Sequence, residues 1–265
     1  MSQNLYQFSG TEFARIDWCD PARQTTLVAD SFRLEDGEVV ALERHLRRFS
    51  DSVAATTDVS AETLEAFLAR LGQMFPSVGS WFPRIEAVET PGGATLRYRE
   101  RLAPAWNSEV VVARAPSDPR RFPQVKGPDL EALMALRTAV APLGAGEAII
   151  TTDQDYLVEG AYSSLMVWLP GAAHPTVIPS ATAHLPGVTE AVLTDIALDT
   201  GVPVNEADVR VDDLEGAELW IVSALQGIRI ATAFCDGPAL VSHPHRRDQW
   251  QDLWRKKSRS VQEVL

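Results

Sequence analysis

Cysteine is nearly absent: Cys19 and Cys235 are the whole complement of a 265-residue chain. Two thiols so far apart in a chain this size suggest reduced side chains and a cytosolic setting. No apolar run approaches the ~20 residues of a membrane span. The start, Met1 to Gly10, has neither a basic beginning nor an apolar core, so no signal peptide is expected. Positive charge is in deficit, with 24 Lys and Arg against 36 Asp and Glu and a net charge of −12. That balance argues against a binder of the nucleic-acid backbone, which would carry a basic face. Internal repeats and low-complexity segments are lacking as well. What remains is 45% hydrophobic and 23% charged residues, the make-up of an ordinary globular protein. The expected setting is cytoplasmic, with neither membrane nor nucleic acid as a partner. The length allows one large domain or two modest ones, each with its own core.

Asp36-Gly37 between apolar runs predicts a hairpin over residues 25 to 42. Leu42, His45, Leu46, Phe49 and Val53 recur at helical spacing, predicting a helix from Leu42 to Thr56. A second helix is expected from about Ser60 to Met74, with Glu62 and Glu65 in its first turns. Strands follow near Trp81 to Val88, Gly93 to Glu100 and Val110 to Ala113. Prolines 116, 119 and 123 exclude regular structure and mark a linker. The expected division is therefore a first α/β domain over 1–117, a linker over 118–125 and a second domain over 126–265. The second domain should hold a helix from Asp129 to Leu143 and strands at Glu147 to Thr152, Tyr156 to Glu159 and Leu165 to Leu169. A helix to about Thr200, a strand over Val204 to Val211, strands at Glu218 to Ser223 and Ile228 to Phe234, and a last helix from Gln249 to Val264 complete it. Strands and helices alternating in two blocks indicate a mixed α/β architecture.

Five segments carry chemistry, and they occur in a telling order. Asp36-Gly37 precedes His45-Leu46-Arg47-Arg48-Phe49. Lys126 stands within residues 122–130, and Glu159 opens Glu159-Gly160-Ala161-Tyr162-Ser163-Ser164-Leu165. Leu185-Pro186-Gly187-Val188-Thr189 follows, then Ile221 to Ile228 with Ser223-Ala224-Leu225 at its centre. A lysine and a carboxylate at neighbouring strand ends are what pyridoxal phosphate needs, an amine for its carbonyl and an anion for its ring nitrogen. Together the segments resemble the class IV aminotransferase family, the fold type IV pyridoxal phosphate enzymes, from about Leu27 to Ile230.

The resemblance implies a two-domain α/β fold with pyridoxal 5'-phosphate in the interdomain cleft, the second domain being the cofactor-binding one, and a homodimer acting on a small amino substrate. It implies that Lys126 is catalytic and joins the cofactor, and that Glu159 holds the ring nitrogen. Arg48 would bind phosphate through its fork of donors. Val188 and Thr189 would add helix-terminal amides, and Ser223 and Ala224 would complete the cup. Ser164 stands beside the ring where the family usually has asparagine. Ser223 likewise replaces asparagine, and Glu190 replaces a common arginine. A Tyr-Gly-Asp-Gly stretch frequent in the family's aminotransferases is replaced by residues 22–27.

Arg97 and Arg99, near a strand end, are candidates for a substrate carboxylate. His45 reads as a packed structural residue. His243 and His245, flanking Pro244, read as a loop, and no metal site is expected. The Glu159 run, ending in Trp168, and the Ser223-Ala224-Leu225 segment resemble aminodeoxychorismate lyases most. That branch converts 4-amino-4-deoxychorismate to 4-aminobenzoate and pyruvate in folate synthesis. The alternatives are a D-amino-acid or branched-chain aminotransferase, and a family member that binds cofactor weakly or not at all.

Overall fold

The computed structural model describes residues 3–16 and 25–265. Cys19 and residues 22–24 lie outside the described residues. The chain divides into two compact units. The first comprises residues 1–105, 125–128 and 257–265, and the second residues 106–124 and 129–256.

The first unit is built on an antiparallel five-stranded sheet in the order β2-β1-β8-β7-β3. Its strands are β1 (Gln3–Phe8), β2 (Phe13–Ile16), β3 (Thr26–Ser31), β7 (Arg84–Thr90) and β8 (Gly93–Arg101). The β1–β2 hairpin was not foreseen from the sequence. A small sheet in the order β17-β5-β4-β6 joins β4 (Leu34–Glu35), β5 (Glu38–Val40), β6 (Ser80–Trp81) and β17 (Ser258–Ser260). The turn between β4 and β5 is Asp36-Gly37, both at positive φ, as the Asp-Gly pair predicts for a two-residue hairpin turn.

Helix α1 (Leu42–Thr56) has the predicted bounds. It buries Leu42, His45, Leu46, Phe49 and Val53, a single stripe at helical spacing, and packs against β3. Helix α2 (Ala61–Leu71) begins at Ser60, whose side chain accepts a bond from the Thr63 amide at 3.2 Å. The carboxy-terminal helix expected over Gln249 to Val264 is interrupted. It ends at Arg255, β17 pairs antiparallel with β5, and a short α6 (Val261–Val264) follows. Edge pairing with a hairpin more than 200 positions earlier overrides the local helical pattern.

The second unit has an eight-stranded mixed sheet, in the order β11-β10-β9-β16-β15-β12-β13-β14. These strands are β9 (Glu109–Arg114), β10 (Glu147–Thr151), β11 (Leu157–Gly160), β12 (Ser164–Trp168), β13 (Thr176–Val177), β14 (Asn205–Glu206), β15 (Glu218–Ser223) and β16 (Gly227–Cys235). Strand β9 runs parallel to both β10 and β16. The strand expected over Val204 to Val211 shrinks to the two residues of β14, because Val211–Leu214 forms a 3-10 turn instead.

Helices α3 (Leu130–Val140), α4 (Val188–Asp199) and α5 (Pro244–Arg255) flank the sheet, with α4 against β12 and β15 and α5 against β16. Strands β12 and β15, apolar apart from Ser164, Glu218 and Ser223, are buried continuously except at Ser223. Trp168, Trp220 and Trp250 meet in tilted and edge-to-face contacts with centroids 5.5–5.8 Å apart and pin α5 to the sheet. Glu218 is buried below them and accepts from Trp220 Nε1, His243 Nδ1 and Arg246 Nη1 at 2.7–2.8 Å. His243 and Pro244 therefore start a helix rather than a loop.

Candidate active site

Strand β3 puts Ala29 and Ser31 on one sheet face and Asp30 on the other. Asp30 meets α1 and is fully buried. Arg48 grips it with Nε at 2.8 Å and Nη2 at 3.0 Å, and His45 Nδ1 stands 2.9 Å from its Oδ1. Burial alone would raise the Asp30 pKa, but Arg48 and His45 together hold it well below the usual carboxylate range. His45 is pushed down, chiefly by burial, with Arg48 and Lys126 adding to the effect against the pull of Asp30.

Lys126 runs along the open edge of β3. Its carbonyl accepts from the Ala29 amide at 2.7 Å. Gly127, at φ +140°, has no room for a side chain: a Cβ there would lie 2.8 Å from Ala29 N and from Val28 backbone carbons. Only glycine lets the chain pass β3 this closely after the lysine.

Arg97 and Arg99 lie on the opposite sheet face from Asp30. The register pairs Glu86 with Arg97 and with Ala29, and Arg84 with Arg99 and with Ser31. Arg97 reaches Gln7 through Nε and Nη2 at 3.3 and 3.0 Å, and Arg99 Nη2 reaches Glu86 at 2.9 Å.

In the second unit Glu159 sits on β11, buried. Its Oε2 accepts from the Leu185 amide at 3.2 Å and its Oε1 from Arg120 Nη1 at 2.5 Å. Arg120 was not singled out in the sequence. The pattern that carries it, Asp118-Pro119-Arg120, was read only as linker. Asp118 takes the arginine's Nε and Nη2 at 2.9 and 2.7 Å.

Ser164, at the head of β12, is the cross-strand partner of Val222, next to Ser223. It stands beside Glu190 in the first turn of α4 and favours that carboxylate's charged form. Glu190 Oε2 is buried without a partner, and burial with the neighbouring Glu159 and Glu206 charges pushes its pKa up to about 7. Below that pH the carboxyl is mostly neutral. The amides of Val188, Thr189 and Glu190 lie outside the intrahelical ladder, which begins with Ala191 N donating to Gly187 O at 3.0 Å. Val188 and Thr189 are buried there. Ser223 ends β15, its Oγ accepting from Gln226 N at 3.4 Å, and Ala224 follows in the turn to β16. Glu159, Ser164, Val188, Thr189, Ser223 and Ala224 thus belong to one unit, and Arg48, Lys126, Arg97 and Arg99 to the other. Among the described residues no cluster of His, Cys, Asp and Glu could hold a metal ion, and no helix is long and apolar enough to cross a membrane.

The model of the class IV aminotransferase family matches residues 27–234. The chain belongs to that family. No curated protein matches it. Among solved structures it is similar to a hypothetical aminotransferase from Mycobacterium tuberculosis in its pyridoxal phosphate-bound form, with 18% identity, TM-score 0.79, and 97% of this chain and 98% of that one covered. It is also similar to a fold IV transaminase of Curtobacterium pusillum, with 20% identity, TM-score 0.75 and coverages of 95% and 97%. A candidate 4-amino-4-deoxychorismate lyase from Legionella pneumophila shares 15% identity at TM-score 0.70, with coverages of 87% and 90%. These likenesses establish the mixed α/β fold of the fold type IV enzymes.

Proposed function

We propose that the protein is a pyridoxal phosphate-dependent enzyme acting on a small amino substrate, and that its reaction is the lyase one, release of pyruvate from an aminodeoxychorismate-like substrate. The observation that carries the cofactor is the grouping in one unit of a buried, ionically paired Glu159 with the amino end of α4. The donor set fits the group. Backbone amides and a helix dipole at Val188 and Thr189 suit a phosphate, joined by the hydroxyls of Thr189 and Ser223, and Arg48 is carried as an expected phosphate contact. Burial raises the Glu190 pKa to about 7, which lessens the charge that would otherwise repel phosphate at that turn. When bound, pyridoxal phosphate supplies a carbonyl for amines and a ring that withdraws electrons from the substrate's α-carbon.

Lys126 would provide the amine that holds the cofactor and would serve as the base that moves the substrate's α-proton. A positioned base of this kind is worth roughly 10²–10⁴-fold in rate. Glu159 keeps a proton on the ring nitrogen. Arg97 and Arg99 are carried as candidate contacts to a substrate carboxylate, and a homodimer in a cytoplasmic setting as the expected form.

Transamination of a D- or branched-chain amino acid is the second reading. A structurally similar M. tuberculosis protein is described in an α-ketoglutarate and pyridoxamine phosphate-bound form, at TM-score 0.77. Purified protein supplied with pyridoxal phosphate and aminodeoxychorismate should release pyruvate without a keto-acid acceptor. Strict dependence on an acceptor would replace the lyase by the aminotransferase. A colourless protein after incubation with the cofactor, indistinguishable from Lys126→Ala, would remove both and leave a non-catalytic family member.

A further inference from the structure

Arg120 is 5% exposed in its side chain, and every guanidinium nitrogen is committed. Nε and Nη2 form a fork on Asp118, while Nη1 donates to Glu159 Oε1 at 2.5 Å and to the Ala183 carbonyl at 3.1 Å. The Arg120 amide also donates to Asp118 Oδ1 at 3.0 Å. Immediately downstream, Asp129 Oδ2 accepts from the amides of Arg121 and Phe122 at 3.0 and 2.8 Å, which fixes the segment that carries the guanidinium. Burial disfavours the Arg120 charge, but Asp118 and Glu159 outweigh it and raise its pKa further. The result is a chain of three charges, Asp118, Arg120 and Glu159, whose net value is −1.

A lone buried glutamate also carries −1, but with all of it on its own oxygens. Here the cation touches Glu159, and the compensating anion is Asp118, whose side chain is 37% exposed. Negative potential is drawn away from Glu159 toward solvent. A carboxylate offers about four acceptor positions over its two oxygens.

We propose that Arg120 is a positioning residue that holds the Glu159 carboxylate and weakens it as a base, so that the cofactor's ring nitrogen keeps its proton less firmly than a lone glutamate would make it. The proposal rests on the reading of Glu159 as the partner of that nitrogen. Charge alone then fixes opposite effects for two neighbouring residues. Loss of Arg120 removes a cation and should strengthen protonation of the ring. Loss of the Asp118 charge leaves Arg120 less offset and should weaken it.

The test loads the full-length protein with pyridoxal phosphate carrying ¹⁵N in the ring, and follows the ring nitrogen's chemical shift against pH. Arg120→Ala should raise the apparent pKa of that nitrogen, and Asp118→Asn should lower it, each by on the order of one unit. Arg120→Lys, which keeps the charge, should stay near wild type, a rescue that a purely structural arginine with its lost fork would not give. If Arg120→Ala does not fold, the signs for Asp118→Asn and Arg120→Lys decide. Shifts in one common direction, or none in protein that holds the cofactor, overturn the proposal for Arg120. A ring signal indifferent to Glu159→Gln overturns instead the underlying reading of Glu159.

Discussion

Arg48 and Asp30 form a two-pronged pair, Nε to Oδ2 at 2.8 Å and Nη2 to Oδ1 at 3.0 Å, with the carboxylate fully buried between a strand and a helix. The geometry leaves Asp30 nowhere else to turn. Replacing it by asparagine would remove the countercharge of the part-buried Arg48 guanidinium and weaken the His45 contact. Asp30→Asn should cost about 3–5 kcal/mol, the usual penalty for removing one member of a buried pair. Urea denaturation at pH 7 measures it.

The same cluster sets a direction for acid sensitivity. Both Asp30 and His45 have folded pKa values depressed below their unfolded ones. Each then binds more protons unfolded than folded, so each contributes stability that is lost as pH falls. His45 acts first, below about 6.5, and Asp30 follows below about 4. Stability measured from pH 7 to 3 should fall in both windows, and Asp30→Asn should remove the lower one.

Glu190 works in the opposite sense. Its pKa rises from 4.5 to about 7, so between those values the folded protein keeps a proton that the unfolded chain has lost. The contribution is therefore complete below pH 4.5 and lost as pH rises through 7, a difference on the order of 3 kcal/mol. Glu190→Gln should flatten this slope and be the more stable protein at pH 8. Thermal melts at pH 5 and pH 8 check it, and an unchanged slope would show that Glu190 is ionised in the fold.

Gly127→Ala places a methyl group against the backbone of β3 in a conformation side chains avoid. Strain of this kind costs about 1–3 kcal/mol before any clash is counted. The expected outcome is a destabilised protein in which Lys126 is displaced, seen as weaker binding of pyridoxal phosphate by fluorescence titration. A variant with wild-type affinity would show that the close passage does not govern the lysine.

Glu218 makes the fourth case. Its oxygens serve Trp220, His243 and Arg246 together, and Arg246 also lies 4.2 Å over the Trp168 ring. Glu218→Ala leaves several donors unsatisfied at the start of α5. A loss of about 2–4 kcal/mol is expected from the combined penalties. Chemical denaturation followed by tryptophan fluorescence reads it directly.

Much of this was legible in the chain because it depended on neighbours in sequence. The α1 stripe, the Ser60 cap and the Asp36-Gly37 turn are each written within a few positions. What escaped was non-local. Gln3–Phe8 and Phe13–Ile16 carry ordinary residues and become strands only when the first pairs with β8 and the second with the first. The pattern from Trp250 through Trp254 to Val261 looks like one helix until β5 is known to need a partner. Arg120 lay in a proline-rich stretch whose composition says loop, and nothing local announces that Glu159, 39 positions later, is its counterion. In the sequence Glu190 stands only as a replacement for a common arginine; the burial that raises its pKa to about 7 is non-local.

The pairing of β17 with β5 has a consequence for how the molecule is made. Hairpin β4–β5 is among the first structures to emerge during synthesis, yet its outer edge stays uncovered until residues 258–260 have left the ribosome. Throughout that interval the edge is open to any other strand. Chains truncated before residue 258 should therefore aggregate or recruit chaperones more readily than the full-length chain.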